Sequence, residues 1–307
     1  MKLTLIQPGL KRATDFLLAN QGKDSGWGYT PDQQSYPEPS SYALLALQKI
    51  GALEEKKQRE NLALGWLTAR TNTVGALSLE TKVTAPVDLG SLDNWGTIVA
   101  FYALRKLNLG AELSARYLQY LLNSRGNQLD KKGAAELKLN GDLLAWSWAR
   151  GTASWVEPTA YALLALKANN LKQHERVKIG EEYLLDRACY EGGWNYGNKE
   201  VLSVILEPMP TNTCFALLAL QDIDRNHETI KKSVAYLEKE IAARQSSMLL
   251  ALGSLCLDIY GRPVDKWLEN LLVRQEENGS WRNNIHLTAL AALALQTQTE
   301  QKNIFKL

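Results

Sequence analysis

The chain has 307 residues, 45% of them hydrophobic, and a formal net charge of +2. That length supports one large domain or two small ones with a substantial core, and the near-neutral charge leaves no electrostatic footprint for nucleic acid. No uncharged apolar run approaches the ~20 residues of a membrane span. The first seven residues lack the apolar core of a signal peptide, and the odd, widely spaced Cys189, Cys214 and Cys256 read as reduced thiols. A cytoplasmic location is the expectation.

In chain order, amphipathic helices are expected over roughly residues 10–20, 60–71, 111–124, 175–187, 227–242 and 264–274, each with charge on one face and Leu, Tyr or Trp on the other. Each is followed by a segment rich in Ala and Leu that reads as a helix buried nearly all round. These segments repeat. Tyr-Ala-Leu-Leu-Ala-Leu begins at Tyr42 and again at Tyr161, and Phe215 opens a near copy. Aligning them gives six register marks at Tyr42, Val99, Tyr161, Phe215, Ser247 and Leu290. Repeats that cannot bury their own apolar faces must stack on one another. Six buried helices alternating with six half-exposed ones close most simply as two concentric rings. The last buried segment, 287–296, is as apolar as the others, which favours closure over an open solenoid. The expected fold is therefore all-α, an (α/α)6 barrel forming a single domain over residues 1–307.

The connections are asymmetric. Those from a buried helix to the next amphipathic one are short. The reverse connections are long at residues 21–37, 72–92, 125–156 and 189–210, whereas the fifth, 244–246, is almost absent. Long ordered loops on a rigid scaffold are where function concentrates, so the functional face is expected where the buried helices begin. Aromatics gather in these loops. Trp27, Trp194 and Trp281 recur at one place in their repeats and read as structural pins. Trp95, Trp146, Trp148 and Trp155 do not recur, and cavity lining and packing stay equally open for them.

Four residues before each register mark lie Glu38, Trp95, Glu157, Thr211, Ala243 and His286. Glu38 and Glu157 each precede a proline, the pattern of a helix start, where a carboxylate meets the positive helix end. Capping explains both structurally. Functionally, Glu38, Glu157 and His286 would converge on one mouth, where desolvation raises a carboxyl pKa towards use as a general acid. Two residues further on, Ser40, Thr97, Thr159, Thr213 and Thr288 present hydroxyls, expected to bond backbone donors in the first helical turn. His286 has no Asp or Cys nearby in sequence, and no metal site or other cofactor is expected.

Several segments resemble a known repeat. Arg12-Ala13-Thr14-Asp15-Phe16-Leu17 with Gln21 and Trp27 is similar to the QW repeat of squalene–hopene and oxidosqualene cyclases. Gln275 to Trp281, through Gly279, matches its second half, and Gly180, Tyr183, Leu184, Gly192 and Trp194 form a third copy with Ala188 in place of Gln. The resemblance spans nearly the whole chain and implies the α/α toroid shared by terpenoid cyclases and protein prenyltransferase β subunits, here as a single barrel. Class II members of that superfamily protonate an alkene with the middle Asp of an aspartate-rich motif opening an inner helix. Trp155-Val156-Glu157-Pro158-Thr159-Ala160 aligns with that stretch, with Glu157 in the acid's place and both flanking aspartates absent. The zinc ligands of the prenyltransferases have no counterpart.

The resemblance therefore implies a protein that binds or cyclises an isoprenoid, or another apolar small molecule, by acid-initiated carbocation chemistry, in the manner of a class II terpene cyclase-like isomerase or lyase. Glu157 would be the acid, assisted by Glu38 and His286, with Trp95, Trp155, Tyr42, Tyr161, Trp146, Trp148 and Phe215 contacting the ligand. An apolar ligand also leaves peripheral membrane contact open. Two alternatives stand beside this: a carbohydrate-active (α/α)6 enzyme using paired carboxylates, and a non-catalytic toroid binding a lipid or protein partner. Rim depth separates them: a closed apolar pocket for an isoprenoid, an open polar groove for a glycan, a plugged barrel for a scaffold.

Overall fold

The computed structural model describes residues 3–53, 57–77, 93–300 and 302–307. The expected loop over residues 72–92 lies outside the described residues from 78 onward. Among the described residues, the outer helices are α1 (Leu3–Ala19), α3 (Lys57–Ala69), α5 (Ala111–Asn123), α8 (Glu175–Asp186), α10 (Glu228–Arg244) and α12 (Asp265–Val273). The inner helices are α2 (Pro37–Lys49), α4 (Asp93–Leu107), α7 (Val156–Ala168), α9 (Pro210–Ala219), α11 (Ser247–Ile259) and α13 (Ile285–Glu300). Two elements decorate the long loops: a short helix α6 (Lys131–Glu136) and a hairpin of β1 (Glu200–Val201) and β2 (Val204–Ile205).

The inner ring closes. Each inner helix packs on the next, from α2 through α4, α7, α9 and α11 to α13, and α13 packs back on α2. The fold is an α/α toroid. Composition explains the layering: α7 is buried continuously from Pro158 to Lys167 and α2 from Pro39 to Leu47, because Ala and Leu on every face leave no polar side to present to water. Lys167 completes this wall with its ammonium group held by Glu181 at 2.6 Å and Asp222 at 2.5 Å.

One device repeats at four of the six inner-helix entries. The indole Nε1 of Trp27 donates to the Leu17 carbonyl at 2.8 Å, Trp194 to Leu184 at 2.6 Å and Trp281 to Leu271 at 2.8 Å. Each Trp thereby seals the C-terminal end of the preceding outer helix, whose last carbonyls lack helical partners. Trp146 does the same to Leu121 at 3.0 Å, so it is a fourth pin, fully buried, and not a mouth residue. Its recurrence is hidden in sequence because the long 125–156 loop displaces it.

The hydroxyl row has a partner other than the one expected. Instead of bonding donors of their own first turn, these side chains clamp the incoming loop. The backbone N–H of Trp27 donates to Ser40 at 2.8 Å, Leu77 to Thr97 at 2.8 Å, Trp146 to Thr159 at 3.2 Å, Trp194 to Thr213 at 2.9 Å and Trp281 to Thr288 at 3.1 Å. Gln275 ties the ring shut. Its amide donates to the Gly9 and Gly279 carbonyls, both at 2.9 Å, joining the last repeat to the first. Gly279 has φ +88°, and a Cβ there would collide with the Arg12 carbonyl, so both conformation and space require glycine.

The barrel is stoppered at the end opposite the long loops by the segment after α13. Phe305 lies fully buried and stacked on Tyr102, with ring centroids 5.6 Å apart. Tyr102 donates to the Ile304 carbonyl at 2.9 Å, Gln221 to the Phe305 carbonyl at 2.9 Å, and Asn303 to the Leu255 carbonyl at 2.7 Å. These partners sit at or just beyond the C-terminal ends of α4, α9 and α11.

Candidate functional site

Glu38 occupies the first turn of α2 and Tyr42 the next turn of the same face; Glu157 and Tyr161 repeat this spacing on α7. His286 enters from the first turn of α13. The loop before α2 adds Tyr29, which the sequence reading did not count in the site. Its hydroxyl donates to Glu38 Oε2. His286 Nε2 lies 3.9 Å from Glu38 Oε1, within ion-pair range but too long for a hydrogen bond. The imidazole packs against Tyr42, with centroids 4.5 Å apart, and edge-on to Tyr29 at 6.3 Å. Glu38 is the hub of the group, since its charge raises the pKa values of Tyr29, Glu157 and Tyr161. Glu38 and His286 are therefore neighbours, and Glu157 lies close enough to feel the charge of Glu38.

Electrostatics singles out Glu157. Burial, and secondarily the negative charge of Glu38, pushes the Glu157 carboxyl up to about 8. The side chain keeps some accessible surface although protein closely surrounds it. At neutral pH Glu157 therefore holds its proton while lying beside a carboxylate. Burial, again with the Glu38 charge, raises Tyr29 and Tyr161 as well, so both phenols are neutral.

Below this polar ring runs a column of aromatics. Trp148 packs on Trp95 at 4.6 Å, Trp95 on Tyr161 at 4.9 Å, and Tyr161 on Phe215 at 4.8 Å and edge-on to Tyr102 at 6.4 Å. Phe305 ends the column. Trp95, Tyr161, Tyr102 and Phe305 are each at most 6% exposed, so protein fills the lower axis, which is the plugged barrel that rim depth assigned to a non-catalytic toroid. Tyr102 and Phe305 escaped the sequence reading because neither sits at the register positions that mark the rim. Trp155 belongs elsewhere. It meets Tyr196 edge-on at 6.3 Å and lines a separate hollow of about 210 Å³ with Leu129, Leu139, Tyr183, Arg187 and Asn198.

Among the described residues, no three His, Cys, Asp or Glu side chains are grouped to hold a metal ion, and no helix is long and apolar enough to cross a membrane. What the mouth offers is a protonated carboxyl, a neighbouring carboxylate, an imidazole, three phenols and an aromatic floor.

No protein family model matches the sequence, and no curated protein matches it. Solved structures do resemble it. The type II terpene cyclase MstE from Scytonema aligns over 98% of this chain and 100% of its own, with a TM-score of 0.69 and 14% identity. An alpha-amylase from Clostridium perfringens aligns over 94% and 97%, with a TM-score of 0.63 and 13% identity. A glycosidase variant in complex with glucose aligns over 96% and 97%, with a TM-score of 0.61 and 10% identity. At these identities the likeness is one of fold.

Proposed function

We propose that this chain is a single-barrel, terpenoid-cyclase-like protein that binds an isoprenoid-bearing molecule at the mouth and uses Glu157 as proton donor. The observation that carries this is the Glu157 carboxyl, pushed up to about 8 and so protonated at neutral pH. It lies one turn before Tyr161, whose ring packs on Trp95 and Phe215. Aromatic faces stabilise a developing cation by ~0.5–2 kcal/mol each. MstE, of the same fold, has been solved with geranylgeranyl dihydroxybenzoate and with merosterolic acid A, and both fit the idea of an apolar chain entering such a barrel. Burial, with the charge of Glu38 adding to it, keeps Glu157 protonated, and His286, packed on Tyr42, flanks Glu38.

A second reading rests on the same pair. A protonated carboxyl beside a second acidic side chain is the arrangement of a glycosidase acid and its partner, and glycosidases and an alpha-amylase share the fold. The two readings separate in one experiment. The protein and its Glu157→Gln variant are incubated with farnesyl, geranylgeranyl and squalene-type substrates, and in parallel with malto-oligosaccharides, and the products are resolved by chromatography and mass spectrometry. Cyclised isoprenoids that disappear in Glu157→Gln are expected. Sugar release from the oligosaccharides transfers the assignment to the second reading. Turnover undiminished in Glu157→Gln removes that residue from the role of acid.

A further inference from the structure

Of the nine tryptophans, all but Trp155 join the hydrophobic core or pack against it. The Trp155 ring instead lines the hollow of about 210 Å³ beside the 125–156 loop, with the half-exposed Tyr196 edge-on to it. Leu129, Leu137, Leu139 and Leu143 supply apolar wall. A buried cation completes the lining. Arg187 is 3% exposed, with its guanidinium 4.5 Å from the centre of the Tyr183 ring. It donates to the Asp186 carboxylate and, at 3.1 Å, to the Asn140 carbonyl. A guanidinium carries more N–H donors than those bonds use. Asn198, on the same lining, is fixed through its backbone: its N–H donates to the Asn195 side chain at 3.1 Å and its carbonyl accepts from it at 2.8 Å. The Asn198 side-chain amide has no protein partner among the described residues. None of Glu38, Glu157, Tyr161 and His286 lines this hollow.

We propose that the hollow is a second binding site, independent of the chemistry at the mouth, and that it takes a small, neutral, planar aromatic carbonyl compound. The size fits one ring. A cavity of about 150 Å³ accommodates benzene, and a hollow of about 210 Å³ leaves room for one short polar substituent. The Trp155 ring and the leucine walls favour a flat aromatic body over a saturated one, because stacked rings gain energy beyond that of area burial alone. The polar end is neutral. Asp186 already meets the Arg187 charge, so an arriving carboxylate finds no unpaired cation and still loses its hydration. A carbonyl oxygen accepts from the spare guanidinium N–H groups without that cost. A hydrocarbon offers those donors nothing. The Asn198 amide can pair with an amide or hydroxyl on the same substituent.

The full chain is titrated with four probes of similar size, benzamide, benzoate, ethylbenzene and cyclohexanecarboxamide, and binding is read by NMR from ligand saturation transfer and indole chemical shifts. Benzamide is expected to bind with a Kd of about 1 mM, the scale of a ligand this small, and at least about fivefold more tightly than each of the other three. Trp155→Ala removes the ring, and Ala153→Leu, on the same lining, fills the hollow. Each should weaken benzamide binding at least about tenfold. The melting temperature of Trp155→Ala should stay within about 2 °C of the wild type, because this ring lies outside the core. If Trp155→Ala does not fold, the ring is structural and the proposal falls unless Ala153→Leu abolishes binding in a folded protein. Benzamide binding that survives both variants, or that is lost in Glu157→Gln and kept in Trp155→Ala, places the probe elsewhere and overturns the site. Tighter binding of benzoate overturns the neutral ligand class, and equal or tighter binding of ethylbenzene or cyclohexanecarboxamide overturns the aromatic carbonyl. Failure of all four probes to bind overturns the proposal outright.

Discussion

Glu38 and His286 face each other across the seam where the last repeat meets the first, with Oε1 3.9 Å from Nε2. The seam exists because α13 packs back on α2. Two residues almost 250 positions apart in sequence therefore become neighbours only when the toroid closes. Glu38 is also the charge felt by Glu157. Replacing Glu38 by Gln removes that charge and leaves the burial of Glu157 in place. The Glu157 pKa should then fall from about 8 without returning to its ordinary value of 4.5, because burial is the larger cause. Carbon-13 NMR titration of the side-chain carboxyl measures this, and an unchanged midpoint in Glu38→Gln would show that the two groups are uncoupled.

The raised Glu157 pKa has a consequence for stability. Between pH 4.5 and about 8 the native state holds a proton on Glu157 that the unfolded chain releases. With the unfolded state binding fewer protons, stability falls as pH rises across that window. A rise from 4.5 to about 8 sets an upper bound of about 5 kcal/mol, since each pKa unit is worth 1.36 kcal/mol, and a group with some solvent access realises less. Denaturant unfolding at pH 5 and pH 8 should show this loss in the wild type and a shallower dependence in Glu157→Gln. Parallel profiles for the two proteins would mean that Glu157 is not protonated in the native state.

Much of this was legible in sequence, for a physical reason. Ala-Leu helices buried on every face repeat with a period, and once Tyr42 and Tyr161 fix the register, the rim positions Glu38, Glu157 and His286 follow without further information. Legibility ended where contacts depend on chain that obeys no period. Trp146 looked like a mouth residue because the 125–156 insertion obscured its place in the repeat, yet it pins Leu121 as its counterparts pin their own helices. Tyr29 sits two residues beyond the Trp27 pin in an irregular loop, and only the path of that loop brings its hydroxyl to Glu38. Phe305 is one aromatic in a short tail with no pattern, and nothing local indicates that it ends inside the barrel.

Trp146 and Trp148 differ by two positions but should respond very differently to mutation. Trp146 is fully buried, bonded to the Leu121 carbonyl and covered by the Arg176 guanidinium 4.1 Å from its ring. Trp146→Phe orphans that carbonyl, leaves a void and weakens the cation–π contact, for a combined cost of about 2–4 kcal/mol. Trp148 is half-buried at the mouth, and Trp148→Phe should cost less than about 1 kcal/mol. Chemical denaturation of the two variants checks the contrast, and equal losses would contradict the division between pin and mouth residue.

The stopper offers the sharpest separation of fold from site. Phe305 is fully buried against Tyr102, and the segment 303–306 is tied to the barrel through Gln221, Asn303 and Lys106. Phe305→Ala opens a cavity at the base of the axis, and large-to-small changes of this kind cost about 3–4 kcal/mol. The cost comes from the end of the barrel opposite Glu38 and Glu157, and Tyr102 and Tyr161 stand between the cavity and the mouth. The melting temperature should therefore drop by several degrees while the Glu157 titration midpoint stays near 8. If the midpoint moves together with the melting temperature, the aromatic column transmits packing changes to the acid, and mouth and stopper behave as one unit.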